Sequence, residues 1–265
     1  MSLEVKHLTH TYSAGSAFQA TAVHDVSLTI EDGEFVCIVG HTGSGKSTLV
    51  QHLNGLLKPT SGQVLVDGED MNGEGVDRRR IRQKVGLVFQ YPEYQLFEET
   101  IAKDIAFGPK NQGLSEEEID QRVRRAMAHV HLDYDKYAER SPFDLSGGQM
   151  RRVAIAGVLA MEPKVLILDE PANFVDNKFE KELYRTLHEL NTRMAIVMVS
   201  HDIGTISSVV KEIVCVNRRV HRHRSNIITE EQLRNYDCPI QLVSHGHIPH
   251  TVLEHHPGDC CCDHE

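Results

Sequence analysis

Alternating and solid apolar stretches divide this chain into recognisable elements. Val26, Leu28 and Ile30 alternate with polar residues ahead of an Asp32-Gly33 turn, the period of a strand with one covered face. Phe35 to Val39 is apolar without alternation, which predicts a strand covered on both faces, and a helix-period pattern at Leu49, Leu53 and Leu56 follows it. Further solid stretches recur at Val85 to Phe89, Val165 to Leu168, Met194 to Val199 and Ile213 to Val216, separated by helical or polar segments. The pattern predicts an α/β fold with a mostly parallel sheet, preceded over Glu4 to Asp67 by antiparallel strands. Between the Val85 and Val165 strands lies a helical insertion, about residues 92–160, with Ser115 and Glu118 placed as a capping box before Ile119, Val123, Met127 and Val130.

The longest apolar run, Val153 to Met161, is far short of the ~20 residues a membrane-crossing helix needs, and the start of the chain has no export-signal succession. A soluble, cytoplasmic protein is expected. A net charge of -10 gives no electrostatic footprint for nucleic acid, so none is expected as a partner. The local cluster of Arg218, Arg219, Arg222 and Arg224 with His221 and His223 reads as a solvated strand or turn. Cys37 and Cys215 lie in apolar runs, Cys238 follows a Tyr-Asp pair, and Cys260, Cys261 and Cys262 sit together, which is no disulfide framework.

After Val216 the texture turns polar and His-rich. The domain division expected is 1–225 for a nucleotide-binding domain and 226–265 for an appendage with a mobile tail. His245, His247, His250, His255, His256, Cys260 to Cys262 and His264 are of a type that ligates Zn²⁺, but no CxxC pair fixes a tetrahedral site, and no structural zinc is expected.

Three motifs carry chemistry. Gly40-His41-Thr42-Gly43-Ser44-Gly45-Lys46-Ser47, followed by Thr48, fits GxxxxGKS and lies between a strand and a helix, the context that motif requires. Its glycines let backbone N–H groups turn onto a triphosphate at a helix N-terminus, Lys46 reaches the β- and γ-phosphates, and the Ser47 hydroxyl suits Mg²⁺. Val165 to Glu170 ends an apolar strand in two carboxylates: Asp169 is suited to hold Mg²⁺, and Glu170 to polarise the water that attacks the γ-phosphate. On its own that pair is also compatible with a strand-end cap. Leu145-Ser146-Gly147-Gly148-Gln149 precedes a helix pattern, so Ser146 and the glycine amides present donors at a helix N-terminus.

These three motifs in this order resemble the ABC ATPase family. The resemblance implies a P-loop NTPase of ABC type that binds and hydrolyses ATP with Mg²⁺ and works with a second ABC ATPase subunit, as a homo- or heterodimer. Ser146, Gly147, Gly148 and Gln149 would bind the γ-phosphate of ATP held by the other subunit. Gln90 would contact Mg²⁺ and the attacking water, His201 the γ-phosphate, and Tyr12 would stack on adenine.

The finer resemblance is divided. Up to about Pro171, segments such as His52-Leu53-Asn54-Gly55-Leu56-Leu57-Lys58-Pro59, Val88 to Phe97 and Ser141 to Leu145 look like the ATP-binding subunits of energy-coupling factor (ECF) transporters, which import vitamins or transition-metal ions. From about Ala172, segments including Asn173-Phe174-Val175-Asp176, Val199 to Gly204, Val214 to Arg218 and Cys238 to Leu242 look like the ATPases of zinc or manganese importers. Phe174 stands where the family usually has glycine, in a loop that passes the partner subunit. Because the surface around Gln90 and the insertion receives the transmembrane subunit in such families, the resemblance favours an ECF-type scaffold as partner, with a zinc or manganese importer as the alternative. It implies a peripheral position on the cytoplasmic face of the membrane.

Overall fold

In the computed structural model, which describes residues 2–173, 175, 177–200, 210, 212–223, 240–245 and 248–253, the chain opens with two long antiparallel strands, β1 (Leu3–Tyr12) and β2 (Ala20–Ile30). The solid apolar stretch forms β3 (Phe35–Val39), and α1 (Lys46–Leu53) follows the glycine-rich loop. Then come β4 (Ser61–Val66), the two-residue β5 (Glu69–Asp70), α2 (Arg78–Lys84) and β6 (Val85–Val88). The helical insertion consists of α3 (Ile101–Asn111), α4 (Glu116–His129), the short α5 (Tyr134–Tyr137) and α6 (Gly147–Leu159), with 3₁₀ turns at Pro92–Tyr94 and Pro142–Asp144. The chain continues through β7 (Val165–Asp169), α7 (Asn177–Asn191), β8 (Ala195–Val199), β9 (Glu212–Asn217) and β10 (Arg219–His223), and a hairpin of β11 (Ile240–His245) and β12 (Ile248–Leu253) follows.

Two sheets result. The first, in the order β2-β1-β4-β5, is antiparallel throughout; the second, β10-β9-β3-β8-β7-β6, is parallel except for its edge strand β10. Its parallel strands lack alternation because each separates two cores. Val36, Ile38, Val165 and Ile167 pack with α1 and the antiparallel sheet, while Cys37, Leu166, Leu168 and Met198 pack with α3, α4, α6 and α7. A fully buried aliphatic side chain in either core contributes roughly 1.5–3 kcal/mol relative to leaving it exposed.

This topology collects the chemistry along one edge. β3, β8, β7 and β6 are parallel neighbours, so the glycine-rich loop, Ser200, Asp169-Glu170 and Gln90 all leave the sheet at its carboxyl edge, where open α/β sheets bind ligands.

Two expectations change in detail. Ser115 caps α4 by accepting from the Glu118 amide, but the Glu118 carboxylate pairs with Arg122, one turn on, so only half of the capping box forms. The basic cluster on β10 is not simply solvated. Arg222 is partly buried and joins Glu34 and Glu212 in an ion-paired network, fastening the sheet edge to the β2–β3 turn. Phe174, Asp176, His201, Arg224, Cys238, His247, His255, His256, Cys260 to Cys262 and His264 lie outside the described residues.

Candidate active site

The glycine-rich loop leaves β3 at Gly40 and enters α1 at Lys46. Two of its glycines are required by space. A Cβ at Gly40 would lie 2.3 Å from the Val216 carbonyl oxygen, and one at Gly45, whose φ is +104°, would lie 2.4 Å from the Ala22 carbonyl oxygen. The loop is braced from behind: the Arg218 amide donates to the Ser44 carbonyl at 2.9 Å, and His41 Nε2 lies 3.2 Å from Asn217 Oδ1. Lys46 is only 8% exposed, its ammonium donating to the Gly40 and His41 carbonyls at 2.7 and 3.0 Å.

Several features fit a phosphate chain. The Ser44 hydroxyl, 1% exposed, has no hydrogen-bond partner among the described residues, Thr42 and Gly43 face solvent, and the α1 N-terminus adds partial positive charge. Tyr12 is 42% exposed beside this helix, its hydroxyl 3.1 Å from Thr48 Oγ1 and its ring 4.6 Å from that of His10 in an edge arrangement. A free aromatic face pinned next to the loop suits a purine.

The carboxylates of β7 meet the loop from the side. Burial pushes the Asp169 carboxyl above its ordinary pKa; the hydrogen bond from Ser47 opposes this, Glu170 adds to it, and Lys46 opposes it. Ser47 and Asp169 therefore present two oxygens within one hydrogen bond of each other, a donor set suited to Mg²⁺. Glu170 adopts φ +49°, uncommon for a residue with a side chain, and its amide donates to Val199 at 3.0 Å. The Gln90 amide donates to Glu170 Oε2 at 2.8 Å, and the Asn173 amide donates to the same oxygen. Gln90 is thus turned toward Glu170 rather than toward Asp169.

The pentapeptide is built differently. Ser146 caps α6 in a complete capping box: the Gln149 amide N–H donates to Ser146 Oγ at 3.4 Å, and the Ser146 amide donates to Gln149 Oε1 at 3.1 Å. Gln149 Nε2 also donates to the Tyr137 hydroxyl, and Gly148 packs close against Phe179. Ser146 and Gly147 face solvent. The structure brings Lys46, Ser47, Asp169, Glu170 and Gln90 together, whereas the polar groups of the pentapeptide bond within their own helix start and to Tyr137.

Sequence reasoning missed Arg151. This buried residue donates to the carbonyls of Gln90, Pro171 and Asn173, and its partners lie up to 61 residues away in sequence. A basic residue on the inward side of a helix that starts at a glycine-rich motif was the available signal. The pairing of Asn173 with Glu170 was also missed; its three-residue spacing across a turn was visible.

Residues 23–173 match the protein family described as ABC transporter, and the chain belongs to that family. Among its relatives, the energy-coupling factor transporter ATP-binding protein EcfA2 of Clostridium tetani is 54% identical over 220 residues, spanning 82% of this chain and 76% of the relative. EcfA2 of Clostridium acetobutylicum is 55% identical over 215 residues, spanning 80% and 75%. Within the ABC family, the chain therefore falls with the ECF transporter ATP-binding proteins. A match covering 82% of the chain extends past Pro171, into the segment whose wording resembles zinc and manganese importers. Two solved structures share the fold. CbiO1 of Clostridium perfringens, described as part of the ABC transporter complex CbiONQ, has a TM-score of 0.76 at 34% identity, covering 88% of this chain and 92% of that one. The cassette MJ0796, solved as a dimer bound to ADP and Pi, has a TM-score of 0.75 at 31% identity, covering 86% and 100%. Among the described residues, no helix is long and apolar enough to cross a membrane.

Proposed function

We propose that this chain is the ATP-hydrolysing subunit that powers an ECF-type importer of vitamins or transition-metal ions, working as one half of an ATPase dimer on the cytoplasmic face of the membrane. The observation that carries the reading is the joint placement of a braced phosphate loop, Asp169 bonded to Ser47, and Glu170 held by Gln90, in a chain about half identical to ECF ATP-binding proteins. Residues 1–225 would form the ATP-binding domain and 226–265 an appendage. The extent of likeness to ECF relatives favours this assignment over the ATPase of a zinc or manganese importer.

The roles proposed combine the positions of the described residues with the family resemblance, which alone supports the role of His201. Loop amides from Gly40 to Ser47, Thr48 and Lys46 bind the phosphates, and Tyr12 receives the adenine. Ser47, Asp169 and Gln90 would hold Mg²⁺, which when bound draws charge from the β- and γ-phosphates. Glu170 orients a water in line with the γ-phosphate and takes its proton as the water oxygen bonds to phosphorus. The bond to the β-phosphate oxygen breaks, leaving ADP and phosphate. His201 would contact the γ-phosphate, and Ser146 to Gln149 would close over the γ-phosphate of the other subunit.

A partner surface lies nearby. A cleft of about 510 Å³ opens between β6 and the helical insertion, lined by Leu56, Phe89, Phe97, Phe107, Val158 and Met161. Phe97 and Phe107 meet edge to face at 4.8 Å and are both exposed. An aromatic-lined groove beside Gln90 suits a short apolar helix of the transmembrane scaffold.

Co-purification with an ECF transmembrane scaffold and, in parallel, with the membrane subunit of a zinc importer tests this. ATP turnover stimulated by the ECF scaffold alone is expected; stimulation by the zinc-importer subunit alone would move the chain to metal uptake.

A further inference from the structure

Arg151 sits in the first turns of α6, two residues beyond the pentapeptide, and is 5% exposed. Burying a guanidinium is costly unless its N–H groups are satisfied. Here its hydrogen bonds go to backbone carbonyls: Nη1 donates to Pro171 at 2.6 Å and Asn173 at 2.8 Å, and Nη2 donates to Gln90 at 2.8 Å. Nε has no partner among the described residues. A residue needed only to fill space at this position would be apolar.

The identity of the carbonyls gives the arrangement its meaning. Gln90 and Asn173 stand on different loops, after β6 and after β7, and their side-chain amides both donate to Glu170 Oε2. One guanidinium therefore fixes the backbones of the two residues that hold the Glu170 carboxylate. Its own helix begins with Ser146 to Gln149. We propose that Arg151 is a positioning residue for hydrolysis, indexing Glu170 to the helix that carries the pentapeptide. A movement of α6 when the pentapeptide meets nucleotide on the other subunit is then passed to Glu170 through Gln90 and Asn173. The inference rests on Glu170 being the base.

Arg151→Lys keeps the charge but loses the planar fork that spans two loops. In the complex with its membrane scaffold, this variant is expected to lower kcat by about a hundredfold, the scale of a small misplacement of a catalytic group. The KM for ATP and equilibrium ATP binding should change by less than about threefold, because the phosphate loop is untouched. Asn173→Ala should lower kcat by about tenfold in the wild-type background and by much less in the Arg151→Lys background, since its amide is already misplaced there. Arg151→Gln, which removes the buried charge, repeats the test with less risk to folding.

Independent multiplication of the Arg151 and Asn173 effects, or a loss of kcat no larger than the loss of folded protein, would overturn the proposal. Absence of turnover in the wild-type complex would instead sink the reading of the site. Unimpaired hydrolysis by Glu170→Gln would remove the base on which this inference depends.

Discussion

The phosphate loop and the Ser146–Gln149 pentapeptide are both glycine-rich helix starts, yet they are finished in opposite ways. The loop is braced from behind by its own chain while Thr42 and Gly43 face solvent: Asn217 and Arg218 support it from β9 and the turn after it, Ala22 crowds Gly45, and Ser44 and Lys46 are buried. The pentapeptide shows Ser146 and Gly147 to solvent and closes its cap with its own Gln149. On the proposed function, the loop would bind nucleotide within the chain, and the pentapeptide would meet a nucleotide held by a second subunit. On that reading binding and hydrolysis would separate, with nucleotide affinity resting on one chain and turnover on two.

The largest effect is expected at Glu170. Glu170→Gln should lower ATP turnover by roughly 10²–10⁴-fold, the contribution of a positioned general base, while leaving ATP binding intact. Parallel steady-state kinetics and equilibrium binding would show whether the two separate. Lys46→Ala acts on the braced loop. Losing charge-assisted bonds to phosphate should weaken ATP binding by about ten- to a hundredfold, measured by calorimetry on the isolated chain.

The smallest effect is expected at His52, on the helix that follows the phosphate loop. His52 is buried on α1, its Nδ1 2.7 Å from the Thr48 carbonyl oxygen and its ring 4.6 Å from that of His10. Burial holds its pKa below the ordinary value; the Thr48 carbonyl opposes this, and His10 adds to it. The unfolded chain therefore binds the proton more readily. Stability rises with pH between the lowered value and about 6.5, and is lost as pH falls through that window. Chemical denaturation of wild type and His52→Gln at a series of pH values should show a steeper decline in the wild type.

Much of this was legible in the sequence because it is local. GxxxxGKS needs only neighbouring residues to form its cradle, and Val165 to Glu170 announces a strand buried on both faces that ends in charge. The strand β7 came out apolar because alternate residues face different cores. What was illegible is tertiary. Arg151 acquires its role from carbonyls on two distant loops, and nothing in its neighbours specifies that. Glu118 fitted a capping box, but Arg122, one turn further, offered a charge partner and won. Arg222 looked like a surface cation until the β2–β3 turn brought Glu34 to it.

On the proposed function, the pentapeptide completes a site on another subunit. The most direct measurement is sedimentation of Glu170→Gln with ATP, alone and combined with Ser146→Arg, with ATP binding followed on the same samples. Glu170→Gln is expected to form an ATP-dependent dimer, and the doubly substituted chain to bind ATP yet stay monomeric. A doubly substituted chain that dimerises as tightly as Glu170→Gln would contradict it.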